Sequence, residues 1–273
     1  MCALGKLAAA SLSSVSGMTN LPKITLAFWI MKICATTLGE TAGDLLSTTL
    51  DVGYALSSLI LFTAFLIALM AQLSTRKHYP LLFWMVVLAT SITGTTLSDL
   101  MDRTLDMGYA CGSVFLMAIL WFVFALWYFT EGTLSIRSVR SRRSQLFLWC
   151  AILVSNTLGT ALGDFLADDS KLGFAGGAAV IGSTLLAITI LRYGSRLSAV
   201  LLFWLAFVLT RPLGATVGDY LTKGSEQGGL GFGTVCSSAM LLTILVAFVG
   251  IAALVIRNRR EIGTPKGAAW MCK

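Results

Sequence analysis

Trp29-Ile-Met-Lys-Ile-Cys-Ala-Thr-Thr-Leu-Gly-Glu-Thr-Ala-Gly-Asp44 is the first of four copies of one pattern in this 273-residue chain. A Trp is followed fifteen residues later by an Asp at Trp29/Asp44, Trp84/Asp99, Trp149/Asp164 and Trp204/Asp219. Five residues before each Asp stands a Gly (Gly39, Gly94, Gly159, Gly214), and directly before it stands Gly43, Ser98, Gly163 or Gly218. Agreement at the same offsets in four places marks an internal repeat. Each copy lies in an apolar run long enough to cross a bilayer, where an ionisable residue is costly and points to function.

The composition sets the class. Hydrophobic residues make up 56% of the chain and charged ones 12%, against about 25% charged in a soluble domain, so a polytopic membrane protein is expected. At roughly 20 residues per span, eight spans use most of the length. A lipid-exposed backbone must satisfy its hydrogen bonds internally, and these runs are too long and evenly apolar for barrel strands. The expected fold is all-α: eight transmembrane helices arranged as four parallel two-helix repeats.

Trp–Asp helices at about 24–48, 80–101, 146–167 and 199–221 alternate with plain apolar helices at about 53–73, 108–130, 174–192 and 231–256. The division expected is a tail over 1–23, repeats over 24–78 and 79–136, a basic loop over 137–145, repeats over 146–198 and 199–256, and a basic tail over 257–273. Residues 1–23 read as a frayed tail or as an over-long start ahead of Met18. Two helices per repeat give all four the same orientation. Repeats 1 and 2 share Leu-Asp-(Val/Met)-Gly-Tyr-Ala at 50–55 and 105–110, and repeats 3 and 4 share Leu-Gly-Phe at 172–174 and 230–232.

The net charge of +7 reads as topology and gives no reason to expect a nucleic-acid partner. Fifteen Lys and Arg fall in the loops and tails on the Trp side, and only Arg103, Lys171 and Lys223 on the Asp side. The positive-inside rule then makes both termini cytoplasmic, in the bacterial inner membrane, with the Asp ends facing outward. Asp51, Asp102, Asp106, Asp168, Asp169 and Glu226 make the outer turns acidic, which either concentrates cations there or is ordinary loop solvation. The six Cys show no CxxC pair, and neither disulfides nor a thiolate metal site is expected. His78 reads as a solvated loop residue.

Counting back from each Asp, position −4 holds Glu40, Thr95, Thr160 and Ala215, −7 holds Thr37, Ile92, Thr157 and Pro212, and −8 holds Thr36, Ser91, Asn156 and Arg211. At 3.6 residues per turn these share a face with the Asp, giving a polar stripe that ends in a carboxylate. The Gly and Ser at −5 and −1 form a small-xxx-small seam beside the stripe, suited to close helix contact. Trp29, Trp84, Trp149 and Trp204 read as interface anchors. Fifteen residues at ~1.5 Å rise is roughly 22 Å, which leaves the Asp inside a core of roughly 30 Å, nearer its outer face.

The candidate ion-binding set is therefore Asp44, Asp99, Asp164, Asp219, Glu40, Thr37, Thr95, Thr160, Asn156 and Arg211. Hard oxygen donors of this kind suit a divalent metal or a proton, with Asp44 and Glu40 as the leading metal ligands. The competing reading is that each Asp bonds to backbone N–H groups and locks a helix hairpin. Arg211 needs a carboxylate partner, Glu40 or one of the Asp, and Pro212 beside it should kink its helix. Lys32 is expected to snorkel to the cytoplasmic interface.

With the Trp and the Gly-x-x-x-(Gly/Ser)-Asp core in four copies over about residues 24–256, the chain resembles bacterial integral membrane proteins of four tandem two-helix repeats of unknown function. That resemblance implies a membrane protein and no particular substrate. Gly39-Glu-Thr-Ala-Gly-Asp44 is also similar to the Glu-x-Gly-Asp signatures of cation/proton exchangers, with one extra residue and no Lys or Arg following. The function expected is secondary transport of a cation, proton-coupled and plausible for a divalent metal, with the lipid bilayer as surroundings and no cofactor. The alternative is a non-transport scaffold or sensor. No enzyme is expected: Gly-x-Ser-x-Gly, His-Glu-x-x-His and a nucleotide-binding loop do not occur.

Overall fold

The computed structural model describes residues 25–75, 79–139 and 141–263. The tail over 1–23, Lys77, His78, Cys2 and Cys272 lie outside them. The described residues are mostly helical, with no strand. Eight long helices follow one another: α1 Leu26–Asp44, α2 Tyr54–Ser74, α3 Pro80–Asp99, α4 Tyr109–Glu131, α5 Arg142–Asp164, α6 Gly173–Gly194, α7 Ala199–Thr222 and α8 Gly233–Gly263. Helix α5 starts inside the expected basic loop because Ser141 caps it, accepting from the Ser144 N–H.

In repeats 1 to 3 the helix runs past its Asp into one π-helical turn, over Leu45–Thr49, Leu100–Thr104 and Phe165–Asp169. Leu50, Leu105 and Ser170 close these turns by donating N–H to the carbonyl five residues back, each at 2.9 Å. The chain then reverses through Asp51, Asp106 and Lys171 at φ 54°, 58° and 59°, followed by Gly53, Gly108 and Gly173 at φ 78°, 71° and 68°. Leu-Asp-x-Gly in repeats 1 and 2, and Ser-Lys-Leu-Gly in repeat 3, place a Gly at the second positive-φ position, where a Cβ is penalised.

The odd-numbered helices form a closed inner ring in which α1 packs on α3, α3 on α5, α5 on α7 and α7 back on α1. The outer helices do not cover their own repeat. Helix α2 lies on α3, α4 on α5, α6 on α7, and α8 closes the circle on α1.

Among the described residues seven helices are long and apolar enough to cross a membrane, as a multi-pass membrane protein requires. Between 50% and 67% of the residues are buried in the spans of α3, α5 and α7, against 22% to 33% in the outer four, which separates the two layers. The outer helices present Leu59, Ile67, Trp121, Phe122, Phe129 and Ile190 outward, a face that suits hydrocarbon. Helix α1 is not among the seven. Lys32, Glu40 and Asp44 interrupt its apolar character, and α3, α7 and α8 enclose it.

Candidate functional site

The small-residue seam is what joins the inner ring. A Cβ added at Gly39 would stand 2.5 Å from the Ser91 Cβ, one at Gly94 2.8 Å from the Asn156 Cβ, and one at Gly214 2.8 Å from the Thr36 Cβ. At Gly159 it would run into the Arg211 side chain. So the glycine at −5 of each inner helix seats the −8 residue of the next, around the whole circle. One turn on, Gly43 faces Thr95, Gly163 faces Ala215 and Gly218 faces Glu40, seating the −4 residues. Both sequence positions advance together by four, so the inner helices are parallel. Ser98 is the exception, and donates instead to Asp102 Oδ2 at 3.2 Å.

This register brings the −4 residues to one layer, with Arg211 of α7 among them. Arg211 is fully buried. Its Nη1 donates to the Thr36 carbonyl at 3.2 Å and to Glu40 Oε2 at 3.0 Å. Its Nη2 donates to the Ser91 carbonyl at 3.3 Å, to Thr160 Oγ1 at 2.8 Å and to Thr95 Oγ1. Thr95 and Thr160 each also lie 3.2 Å from Glu40 Oε2. One guanidinium thus joins all four inner helices, and Ala215 at the fourth −4 position leaves it room. Helix α7 continues unbroken through Pro212, where the missing N–H costs one helical bond.

The four Asp form the next layer towards the C-terminal ends of the inner helices, and all are buried. Arg103 bridges two of them, with Nε 3.1 Å from Asp99 Oδ1 and Nη2 3.6 Å from Asp164 Oδ2. Lys223 bridges the other two, with Nζ 3.0 Å from Asp44 Oδ2 and 3.4 Å from Asp219 Oδ1. Each cation stands four residues after its own Asp and reaches the Asp of the next repeat. The equivalent residues of repeats 1 and 3 are Thr48 and Asp168. Burial works against the Lys223 ammonium, but Asp219 and Asp44 outweigh it and hold its pKa above the ordinary lysine value.

Glu40, Asp164 and Asp219 each offer a carboxylate oxygen within 4.8 Å of the other two. Of the two leading metal candidates, Glu40 thus sits with Asp164 and Asp219, while Asp44 is engaged by Lys223. Thr95 and Thr160 join this cluster. Thr37 bonds back to the Ile33 carbonyl of its own helix at 2.9 Å, and Asn156 donates to Thr90 Oγ1 at 3.2 Å, tying α5 to α3. Among the described residues no backbone N–H donates to the side chain of Asp44, Asp99, Asp164 or Asp219. The hairpins are closed by the π-helical turns and backbone bonds such as Gly53 N–H to the Ser47 carbonyl at 3.0 Å.

Three expectations are corrected. Trp84, Trp149 and Trp204 are buried, at 3%, 1% and 5% exposure, and only Trp29 is half-buried. The outer ring covers the inner helices, so these rings meet neighbouring helices: Phe28 lies 5.8 Å from Trp84, Phe83 5.7 Å from Trp149 and Phe203 5.7 Å from Trp29. Trp204 donates Nε1–H to the Leu134 carbonyl at 3.0 Å. Lys32 does not snorkel; it is buried, with Nζ 3.8 Å from the centre of the Phe207 ring. Asp102 is no solvated turn residue: it is buried against Ser98 and Gly112.

Sequence reasoning placed Arg103 and Lys223 among loop charges and missed both as partners of the Asp. Their signal is local: Asp99–Arg103 and Asp219–Lys223 are acid–base pairs at i, i+4, a spacing that faces the two side chains together on a helix.

No curated protein and no solved structure matches this chain. The family model described as Repeat of Unknown Function (DUF347) matches it four times, at residues 27–78, 82–133, 147–198 and 202–258. With most of its length covered by these four copies, the chain belongs to that repeat family.

Proposed function

We propose that this protein is a secondary transporter of a cation, a divalent metal ion exchanged against protons, which crosses the membrane along the axis of the inner ring. Charge balance carries the reading. Among the described residues Glu40, Asp44, Asp99, Asp164 and Asp219 pair with three cations: Arg103, Arg211 and Lys223. Two buried negative charges are left over, which is costly unless protons or a bound cation neutralise them. Carboxylates beside threonine hydroxyls are hard donors that suit Mg²⁺ or Mn²⁺. Arg211 fills the ring at mid-depth, which favours a carrier that changes conformation over an open channel.

In this reading all eight long helices cross the bacterial inner membrane. Both termini are cytoplasmic, as the fifteen-to-three division of basic residues suggests. The carboxylates face outward and no catalytic role is assigned. The test is uptake into proteoliposomes against a panel of divalent ions under an imposed pH gradient. Flux of at least one ion that follows the gradient and is lost in Glu40→Gln supports the proposal. Absence of flux for every ion refutes it.

A further inference from the structure

The two cations of the Asp layer are not held alike. The Arg103 guanidinium lies 5.9 Å from the centre of the Tyr54 ring and 5.8 Å from that of Tyr109, and Nη1 donates to the Tyr54 hydroxyl at 3.4 Å. Two carboxylates and two aromatic rings from α2 and α4 contact this planar group, which stays charged, on a side chain that is 37% exposed. The Lys223 ammonium pairs with Asp44 and Asp219, and among the described residues no aromatic ring is stacked against it. It is the first residue past α7, and repeat 4 has no π-helical turn there.

The Lys223 backbone is held by two hydrogen bonds and, among the described residues, its side chain by the two carboxylates alone. Its N–H donates to the Asp219 carbonyl at 2.8 Å and its carbonyl accepts from Gly231 N–H at 2.8 Å. The ammonium sits on a flexible four-carbon stem that is 27% exposed, against 37% for Arg103, so the number of contacts and not burial separates the two cations. Nearby, between the end of α7, the turn of repeat 1 and the start of α8, is an open surface depression of about 540 Å³ lined by Thr49, Thr222, Phe232, Thr234 and Cys236. Thr222 directly precedes Lys223, and Thr49 lies one turn past Asp44. The depression therefore places open space one residue from Lys223, on the side where a displaced side chain could lie.

We propose that Lys223 is a tethered competitor of the cargo: it occupies the Asp44–Asp219 pair from the outer side, and an entering cation takes its place while Arg103 stays as a fixed latch. This rests on the cation-transport reading and names the residue that controls entry to the same site. The two bridges join different helices, α3 to α5 and α7 to α1. Releasing Lys223 thus removes the Asp-layer bridge of the α7–α1 seam, which Arg211 still holds through Glu40 and Thr36, and leaves the Arg103 bridge in place.

Mn²⁺ is the probe, and its binding to the purified full chain is read by electron paramagnetic resonance. With and without Mn²⁺, a membrane-impermeant amine-acylating reagent is applied and modification of Lys223 is quantified by mass spectrometry. Saturating Mn²⁺ is expected to raise Lys223 modification several-fold. Lys223→Gln should bind Mn²⁺ about tenfold more tightly, as expected for removing two partly exposed ion pairs, and Lys223→Arg should bind no more tightly than the native chain. Bound Mn²⁺ with unchanged or reduced Lys223 modification overturns the competitor role and leaves the cation site standing. Absence of Mn²⁺ binding to both the native chain and Lys223→Gln overturns the cation site, and the competitor with it.

Discussion

Arg211 of the fourth repeat lies 3.0 Å from Glu40 of the first, both fully enclosed by the inner ring. The two residues break the fourfold pattern at positions −8 and −4, and they meet because α7 packs back on α1 to close the circle. A buried pair of this kind is held by its additional donors and acceptors as much as by attraction, and removing one partner strands the other.

Arg211→Ala should therefore destabilise the protein by about 3–5 kcal/mol, since Glu40 loses its counter-charge and Thr95 and Thr160 lose a shared donor. Paired with Glu40→Gln, the loss should be clearly less than the sum of the two single changes. Chemical unfolding in detergent of the four proteins of this cycle measures it. Additive losses would show that the pair is not coupled.

The glycine seam makes a sharper steric statement. Gly159→Ala places a methyl group against the Arg211 side chain and Pro212, and should cost about 1–3 kcal/mol by overpacking. Gly182→Ala in α6 meets open space and should be stabilising by about 0.5–1 kcal/mol through helix propensity. Thermal melting of both variants tests the ring, and equal melting temperatures would contradict the seam.

The fourfold repeat, the alternation of two helix types and the polar stripe were all legible in the sequence, because each rests on a fixed offset seen four times. The seam was legible as a face and not as a set of partners. Periodicity says that Gly39 and Gly43 lie on one side of α1; only the closed ring says they meet Ser91 and Thr95. The outer layer shows the same limit, since α2 belongs to repeat 1 in sequence and covers α3 of repeat 2 in space. Trp84, Trp149 and Lys32 were misread because an amphipathic side chain near a helix end suits a lipid interface equally well until an outer helix is known to cover it. Arg103 and Lys223 were hidden by the comparison that revealed the Asp, for they occur in only two repeats.

Topology is open to direct reading. Reporter fusions at Arg142 and Arg196 should report a cytoplasmic position, and fusions at Asp51, Asp106 and Asp169 an external one, following the basic asymmetry of the loops. An external signal at Arg142 would reverse the orientation and place the Asp layer on the cytoplasmic side.

Acidity should oppose cargo binding. Protons and a metal ion compete for the same carboxylates, so the apparent Mn²⁺ affinity should fall as pH is lowered, by about tenfold per pH unit for each proton displaced. Titrations between pH 5 and pH 8 check the sign. An affinity that rises on acidification would mean that the carboxylates are not the ligands.

The most direct measurement is the number of protons released when Mn²⁺ binds, obtained by calorimetry in buffers of different ionisation enthalpy. Two surplus carboxylates among Glu40, Asp44, Asp99, Asp164 and Asp219 predict release of about one to two protons by the native chain. Release should fall, with weaker binding, in Glu40→Gln and in Asp164→Asn. Mn²⁺ binding without proton release, or with release unchanged in both variants, would contradict the account.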